Sequence, residues 1–319
     1  MKIPFFTLLL FISSLTVGQT YKFMVAEADT FYNNKDYKQS VAKFKEAFKL
    51  NEKNGNHFYN ASCAAALIGD KNLAFEWLNL ALKNGWTDIK HLKTDTDLTL
   101  LHDSKEWDIL LSEMQKEVDK KEANYDKPLQ AKLLAIYNDD QPIRKEYIIA
   151  QKKFGYPSKQ MDSLGKIMKY KDSINLIKVA EILDKYGWVG ADKVGGQANQ
   201  TLFLVIQHAD LKTQQKYLPM MRDAVKNKNA YATALAYLED RVAIGEGKRQ
   251  IYGSQIGINS ETKKNYVLPL DDPDNVDKRR AEMGLGLFAE YAKVWGIIWN
   301  IEEYKKQLPE IEELQKRQK

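Results

Sequence analysis

Gln207 and His208 close an otherwise apolar helical run, and Asp240 and Arg241 lie near the end of another. Gln250, Tyr252 and Gln255 follow, beside glycines that permit close backbone approach. If these ends converge, an imidazole, a carboxylate, a guanidinium and several amides line one pocket. There His208 could act as a general base, oriented by Asp210 or Asp240. Arg241 or Arg280 could grip an anionic ligand as a bidentate fork. The catalytic candidates are therefore His208 and Asp240. The ligand-binding candidates are Gln207, His208, Asp240, Arg241, Gln250, Tyr252, Gln255 and Arg280.

Each of these side chains also has a plain structural use. A His at a helix C-terminus can satisfy orphan carbonyls. Asp210 is placed to N-cap a helix from Leu211, and Asp274 with Asp277 resembles a capping box. Asp240 and Arg241 can bind nearby backbone, and buried Gln can tie a loop to a bundle. Around His208 the structural use is weighed first, ligand binding second and turnover last.

The remaining motif-like stretches are weak. Gly284-Leu285-Gly286-Leu287-Phe288-Ala289 fits a dinucleotide fingerprint only formally, because no strand precedes it. Gly245-Glu246-Gly247-Lys248 lacks the spacing of a phosphate-binding loop, and Asp272-Pro273-Asp274-Asn275 lacks the Gly and closing Glu of a calcium loop. His91 and His102 are too far apart to share a metal on one helix and read as surface residues. No metal site and no cofactor is expected.

The elements that must position the candidates are helical. Ser158–Tyr186 reads as a long helix closed by Gly187-Trp188. Ala198–Ile206 ends in an unbroken apolar run and reads as a central buried helix, followed by amphipathic helices at Leu211–Lys226 and Tyr231–Ile244. Ile251–Ile258 and Tyr266–Leu270 flank the polar run Asn259–Asn265, which suggests one hairpin or an ordered loop pair. Helix returns at Asp274–Glu282 and at Leu285–Trp299, where Phe288, Tyr291, Trp295 and Trp299 read as a core face. In this stretch stand Gly187-Trp188, Gln207-His208-Ala209-Asp210, Asp240-Arg241-Val242, Gln250 through Gln255, and Asp271 through Arg279-Arg280. In order and spacing they resemble an uncharacterised bacterial domain family marked by Gly-Trp, Gln-His-Ala, Asp-Arg-Val, Tyr-Gly-Thr-Gln and a late Asp-rich run into Arg-Arg. The resemblance spans most of Pro128–Tyr291, with Val189 in place of the family's Pro and Ser254 in place of its Thr. It implies a domain but no reaction.

The first third has a different organisation. Ser40, Phe44 and Ala47 recur as Ala74, Leu78 and Ala81 at an offset of 34 residues, and Lys35-Asp36 recurs as Gly69-Asp70. Tyr21–Asn54 and Gly55–Asp88 therefore resemble two tetratricopeptide repeats, although Glu52 replaces the usual closing Pro. The resemblance implies helix pairs that stack and leave a groove for a protein or peptide partner. Asn84 through Leu111 resembles the segment that ends such groups in bacteria, with Asp97 or Thr96 as the cap of its helix. Cys63 lies in a small-residue seam, Ala61–Ala66, and reads as buried packing.

At 319 residues the chain has room for two domains, and 44% hydrophobic with 29% charged residues is ordinary globular composition. A net charge of +5 with interspersed signs, and no basic stripe, argues against nucleic acid. Met1–Gly18 has the short basic start, apolar run and small-residue end of a secretory signal, leaving Gln19 as the mature N-terminus. No membrane span is expected after its removal, and a periplasmic or secreted location follows. The sequence thus predicts a mainly α protein. It places a signal peptide at 1–18, a repeat solenoid with a capping segment at 19–122, and a helical domain with one hairpin at 123–319. The charged run ending at Pro128 would mark the boundary. An exported binding or scaffold protein is the leading expectation; an envelope or extracellular hydrolase with His208 as base is the alternative.

Overall fold

A computed structural model describes residues 6–50, 53–155, 158–259 and 261–317. The basic start at Lys2, the position of Glu52 and part of the hairpin connection at Ser260 lie outside the described residues. The protein is mainly α-helical with a small antiparallel pair of strands, and it divides into two compact units at Ala123/Asn124. Among the described residues no helix is long and apolar enough to cross a membrane.

The first unit is built from paired helices. α1 (Phe6–Asn33) pairs with α2 (Tyr37–Phe48), and α3 (Gly55–Leu67) with α4 (Lys71–Lys83). The backbone of α1 is helical through Gly18-Gln19. Details of local chemistry repeat at the same 34-residue offset. Asp36 accepts from the Gln39 amide and Asp70 from the Leu73 amide, so equivalent carboxylates start α2 and α4. The residues before them, Lys35 and Gly69, both take positive φ, at 62° and 85°. The repeated positions Phe44, Ala47, Ala74, Leu78 and Ala81 are all buried, and Phe48 bridges the pairs, its ring tilted against Phe58 and edge-on to Trp77. Gly55 is where the second pair closes, because a Cβ there would lie 2.9 Å from the Asn84 carbonyl. α5 (Ile89–Thr94), a 3-10 turn at Thr96–Leu101 and α6 (Lys105–Glu122) complete the unit, burying Leu92, Leu98, Leu101, Trp107 and Leu110. The expected cap at Asp97 or Thr96 falls one or two residues early, at Asp95, which accepts from the Asp97 amide. α6 has its own cap, Ser104. His102 is not a plain surface residue: its ring packs on Trp107, and its Nε2 is buried without a partner.

The second unit opens with α7 (Lys127–Phe154). Pro128 sits in its first turn, so this residue starts a helix rather than ending one. α8 (Lys159–Tyr186), capped by Ser158, packs along it. After a short α9 (Ala191–Val194) comes α10 (Gly196–Ile206), buried along most of its length and packed on both long helices. Its apolar run fills a core that also draws on α7, α8, α11 (Leu211–Lys226) and α12 (Ala232–Gly245). Strands β1 (Ile256–Ile258) and β2 (Asn265–Val267) pair antiparallel, Gly257 opposite Tyr266. α13 (Val276–Glu282), α14 (Phe288–Val294) and α15 (Ile301–Arg317) surround a smaller core centred on Val267, Leu270, Phe288 and Tyr304. The helix expected over Leu285–Trp299 is only α14; Gly296, at φ 74°, ends it. The Asp274–Asp277 capping box does not form. Asp277 instead accepts from the Phe288 amide, and Asp274 pairs with Lys305.

Candidate functional site

Seven of the eight sequence candidates fall into two groups with different chemistry, and Gln207 joins neither. Five of them build a clamp on the loop between α12 and β1. Asp240 is fully buried, and its Oδ1 accepts from the amides of Ile251 (2.6 Å) and Tyr252 (2.9 Å) while its Oδ2 accepts from Ser254 (2.8 Å). Burial pushes its pKa upward, and the three amides hold that rise back. Gln250, also fully buried, donates to the carbonyls of Gln255 and Leu268 and accepts from the Gln255 amide. Arg280 donates from Nε to the Gly286 carbonyl and from Nη1 to the Tyr252 carbonyl, with its guanidinium over the Phe288 and Tyr291 rings. The Tyr252 hydroxyl donates to Glu239, and Gln255 donates to the Ser254 hydroxyl. Such side chains hold irregular backbone that no ladder could satisfy. Arg279 adds three further bonds, to the carbonyls of Ile251, Asp271 and Asp272.

Asp240 is therefore not an orienting acid for His208. Neither is Asp210, which caps α11 through the Thr213 amide. Gln207 contributes its carbonyl, which accepts from Gln214; no hydrogen bond of its side chain is present among the described residues.

His208 and Arg241 form the second group, with neighbours from α7 and α8. Within α7, Asp140 and Arg144 stand one turn apart and make a two-pronged pair at 2.8 and 3.0 Å. Arg144 also bonds Asp172 of α8, and Gln141 donates to Asp140. Beside this pair lies a second cross-link between the helices, Asp139 with Lys171 and Asn175. His208 is half-buried. Its pKa is driven down to about 4, first by burial and then by the Arg144 and Arg241 charges, with Asp140 as the opposing influence. At neutral pH it is an uncharged imidazole, and it makes no side-chain hydrogen bond among the described residues. Arg241 makes neither a hydrogen bond nor an ion pair among the described residues, and its Nε is buried without an acceptor. Burial lowers its pKa. The opposing influence is the Tyr291 phenol rather than any carboxylate. Tyr291 stands between the groups: its hydroxyl donates to the Ser254 carbonyl, and burial lifts its pKa to about 12.

Sequence reading missed Asp140, Arg144 and Asp172. The available signal was weak. An Asp and an Arg four apart look like a solvated helix pair, yet Pro142 between them marks a place where the helix tolerates a defect.

A polar cavity of about 380 Å³ belongs to the first unit, lined by Asp29, Tyr32, Asn33, Tyr59, Asn60, Cys63, His91 and Asp95. Cys63, Asp95 and Asp97 bring ligand-type atoms within 4.8 Å of one another. Those carboxylates already accept the hydroxyls of Tyr59 and Tyr32, and burial pushes the Cys63 thiol well up. The thiol is a packed neutral group, not a nucleophile.

A helical domain whose polar motifs clamp one loop and leave a half-buried His–Arg cluster defines the second unit. A family profile matches residues 127–301, and the chain belongs to that family, described as Family of unknown function (DUF6624). The five motifs from Gly187-Trp188 to Arg279-Arg280 all fall inside the match. Neither a curated protein nor a solved structure matches the chain.

Proposed function

We propose that the protein is an exported binding protein. Its first unit acts as a short tetratricopeptide-type solenoid that holds a protein segment, and its second unit binds a small ligand at His208 and Arg241. The observation that carries this reading is the polar cavity on α1, α3 and the end of α5. It draws on the first helix of each pair, and Asp29 and Cys63 in its wall are equivalent positions 34 residues apart. Carboxylates, amides, tyrosines, Cys63 and His91 line it, and among the described residues no Lys or Arg does. That lining suits an extended segment with amide donors and a basic side chain. Export rests on the signal-like Met1–Gly18.

The hydrolase alternative has less support. A base whose conjugate acid has a pKa near 4 is always available at neutral pH but weak, far from the matched value that proton transfer favours. No carboxylate hydrogen bond fixes its tautomer among the described residues.

A peptide array probed with the purified chain tests the groove. Asn33 and Asn60 are exposed in the cavity wall, so Asn33→Arg with Asn60→Arg fills it with positive charge while sparing the core. Retained helicity with loss of binding to basic peptides is the expected outcome. Unchanged peptide binding by the double variant would remove the groove from the account.

A further inference from the structure

We propose that Arg241, with His208 and Arg144 beside it, is a receptor for a single oxyanion, the carboxylate or phosphate group of a small molecule. The inference rests on the reading of the second unit as ligand-binding and names the chemistry of its ligand.

Arg241 carries the argument. A guanidinium is a cation at any working pH and offers five donors in a rigid fork. Here the Nε is buried without an acceptor, and the side chain has no ion pair among the described residues. Burying a charge without a partner is strongly unfavourable, and buried polar groups in folded chains are nearly always satisfied. Among the described residues, every other deeply placed cation in this unit obeys that rule. Arg280 has two carbonyls and two aromatic faces, Arg279 has three carbonyls, and Arg144 has two carboxylates. The exception is therefore specific to Arg241, not a habit of the domain.

The surroundings fit an oxyanion and little else. Asp140 and Asp172, the carboxylates of the cluster, are both held by Arg144, and neither acts on Arg241. Arg144 spends Nε and Nη2 on them, and its Nη1 has no acceptor among the described residues. The imidazole of His208 is uncharged, so it can donate one hydrogen bond to the anion without adding a charge of its own. His208, Arg241, Arg144 and Tyr291 are each partly exposed. An amine or metal cation would meet two guanidinium groups there. A neutral ligand would leave Arg241 as uncompensated as it is now.

The test uses the full chain and simple probes. Thermal unfolding is followed in sodium phosphate, sodium acetate and sodium chloride at equal ionic strength. The expected result is a rise in midpoint with phosphate or acetate over chloride. That rise should be abolished by Arg241→Met, weakened about tenfold in apparent affinity by Arg241→Lys, which keeps charge but loses the fork, and unchanged by Arg249→Met, a surface control. A response to phosphate alone assigns a phosphoryl ligand, and one to acetate assigns a carboxylate. If Arg241→Met does not fold, the His208 ring signals of the native chain decide, identified by their loss in His208→Gln. Movement with either oxyanion but not chloride supports the proposal. Equal midpoints in all three salts with unmoved ring signals overturn it, as does a response that survives in folded Arg241→Met. Neutral or amine compounds that shift the His208 signals while neither oxyanion does would overturn the oxyanion proposal yet leave the ligand-binding reading standing.

Discussion

His208 shows how much a neighbourhood can change one residue. An ordinary imidazole titrates near 6.5, but burial and two guanidinium groups bring this one to about 4. The unfolded chain takes up a proton at His208 between those values while the folded chain does not. Stability contributed by the neutral ring is therefore fully present above pH 6.5 and is lost progressively as pH falls toward 4. The size of that loss is up to about 3 kcal/mol at 1.36 kcal/mol per pH unit. Denaturant titrations across this window should show the loss in the native chain and a flatter profile in His208→Gln. Parallel profiles for the two chains would mean that His208 is not the group that titrates. Sequence alone could find the imidazole, since a lone His at the end of an apolar helix stands out. It could not supply the two cations that set its behaviour, because Arg144 is sixty-four residues earlier in the chain.

At the scale of elements, local rules worked for several short-range caps and periods, though not for the caps expected at Asp97 and Asp274. Ser158, Asp210 and Asp70 start helices as their types require, and α11 spans the residues its amphipathic pattern indicates. The rules failed where a distant side chain replaces a ladder. Ile251–Gln255 has the β-branched and aromatic content of a strand, but Asp240 and Gln250 take its amides and carbonyls, so β1 begins only at Ile256. Gly253 holds that loop in shape. Its φ of 73° is poorly tolerated by other residues, and a Cβ would run into the Phe288 ring. Gly253→Ala should cost more than about 2 kcal/mol, the sum of backbone strain and overpacking, in a denaturant melt. A cost under half of that would show the loop to be looser than its bonds suggest.

Across the whole molecule, two compact units carry different kinds of legibility. The 34-residue offset exposed the first because equivalent caps, turns and buried positions must recur when helix pairs stack. The second was legible as a set of motifs, and the family match covers them, but motifs do not announce their roles. Asp240, Gln250 and Arg280 proved to be satisfied, buried and committed to backbone, whereas Arg241, one residue from Asp240, is unsatisfied and partly exposed. That division, between side chains that hold a loop and side chains left over for a ligand, is the central claim. Hydrogen exchange by mass spectrometry on the full chain tests it in the native form, Asp240→Asn and Arg241→Met. Asp240→Asn should speed exchange of the amides at 251–254 about a hundredfold, equivalent to about 2.7 kcal/mol of lost charge-assisted bonding, while Arg241→Met keeps them within about threefold of native. Equal loss of protection in both variants, or a protected loop in Asp240→Asn, would contradict the account.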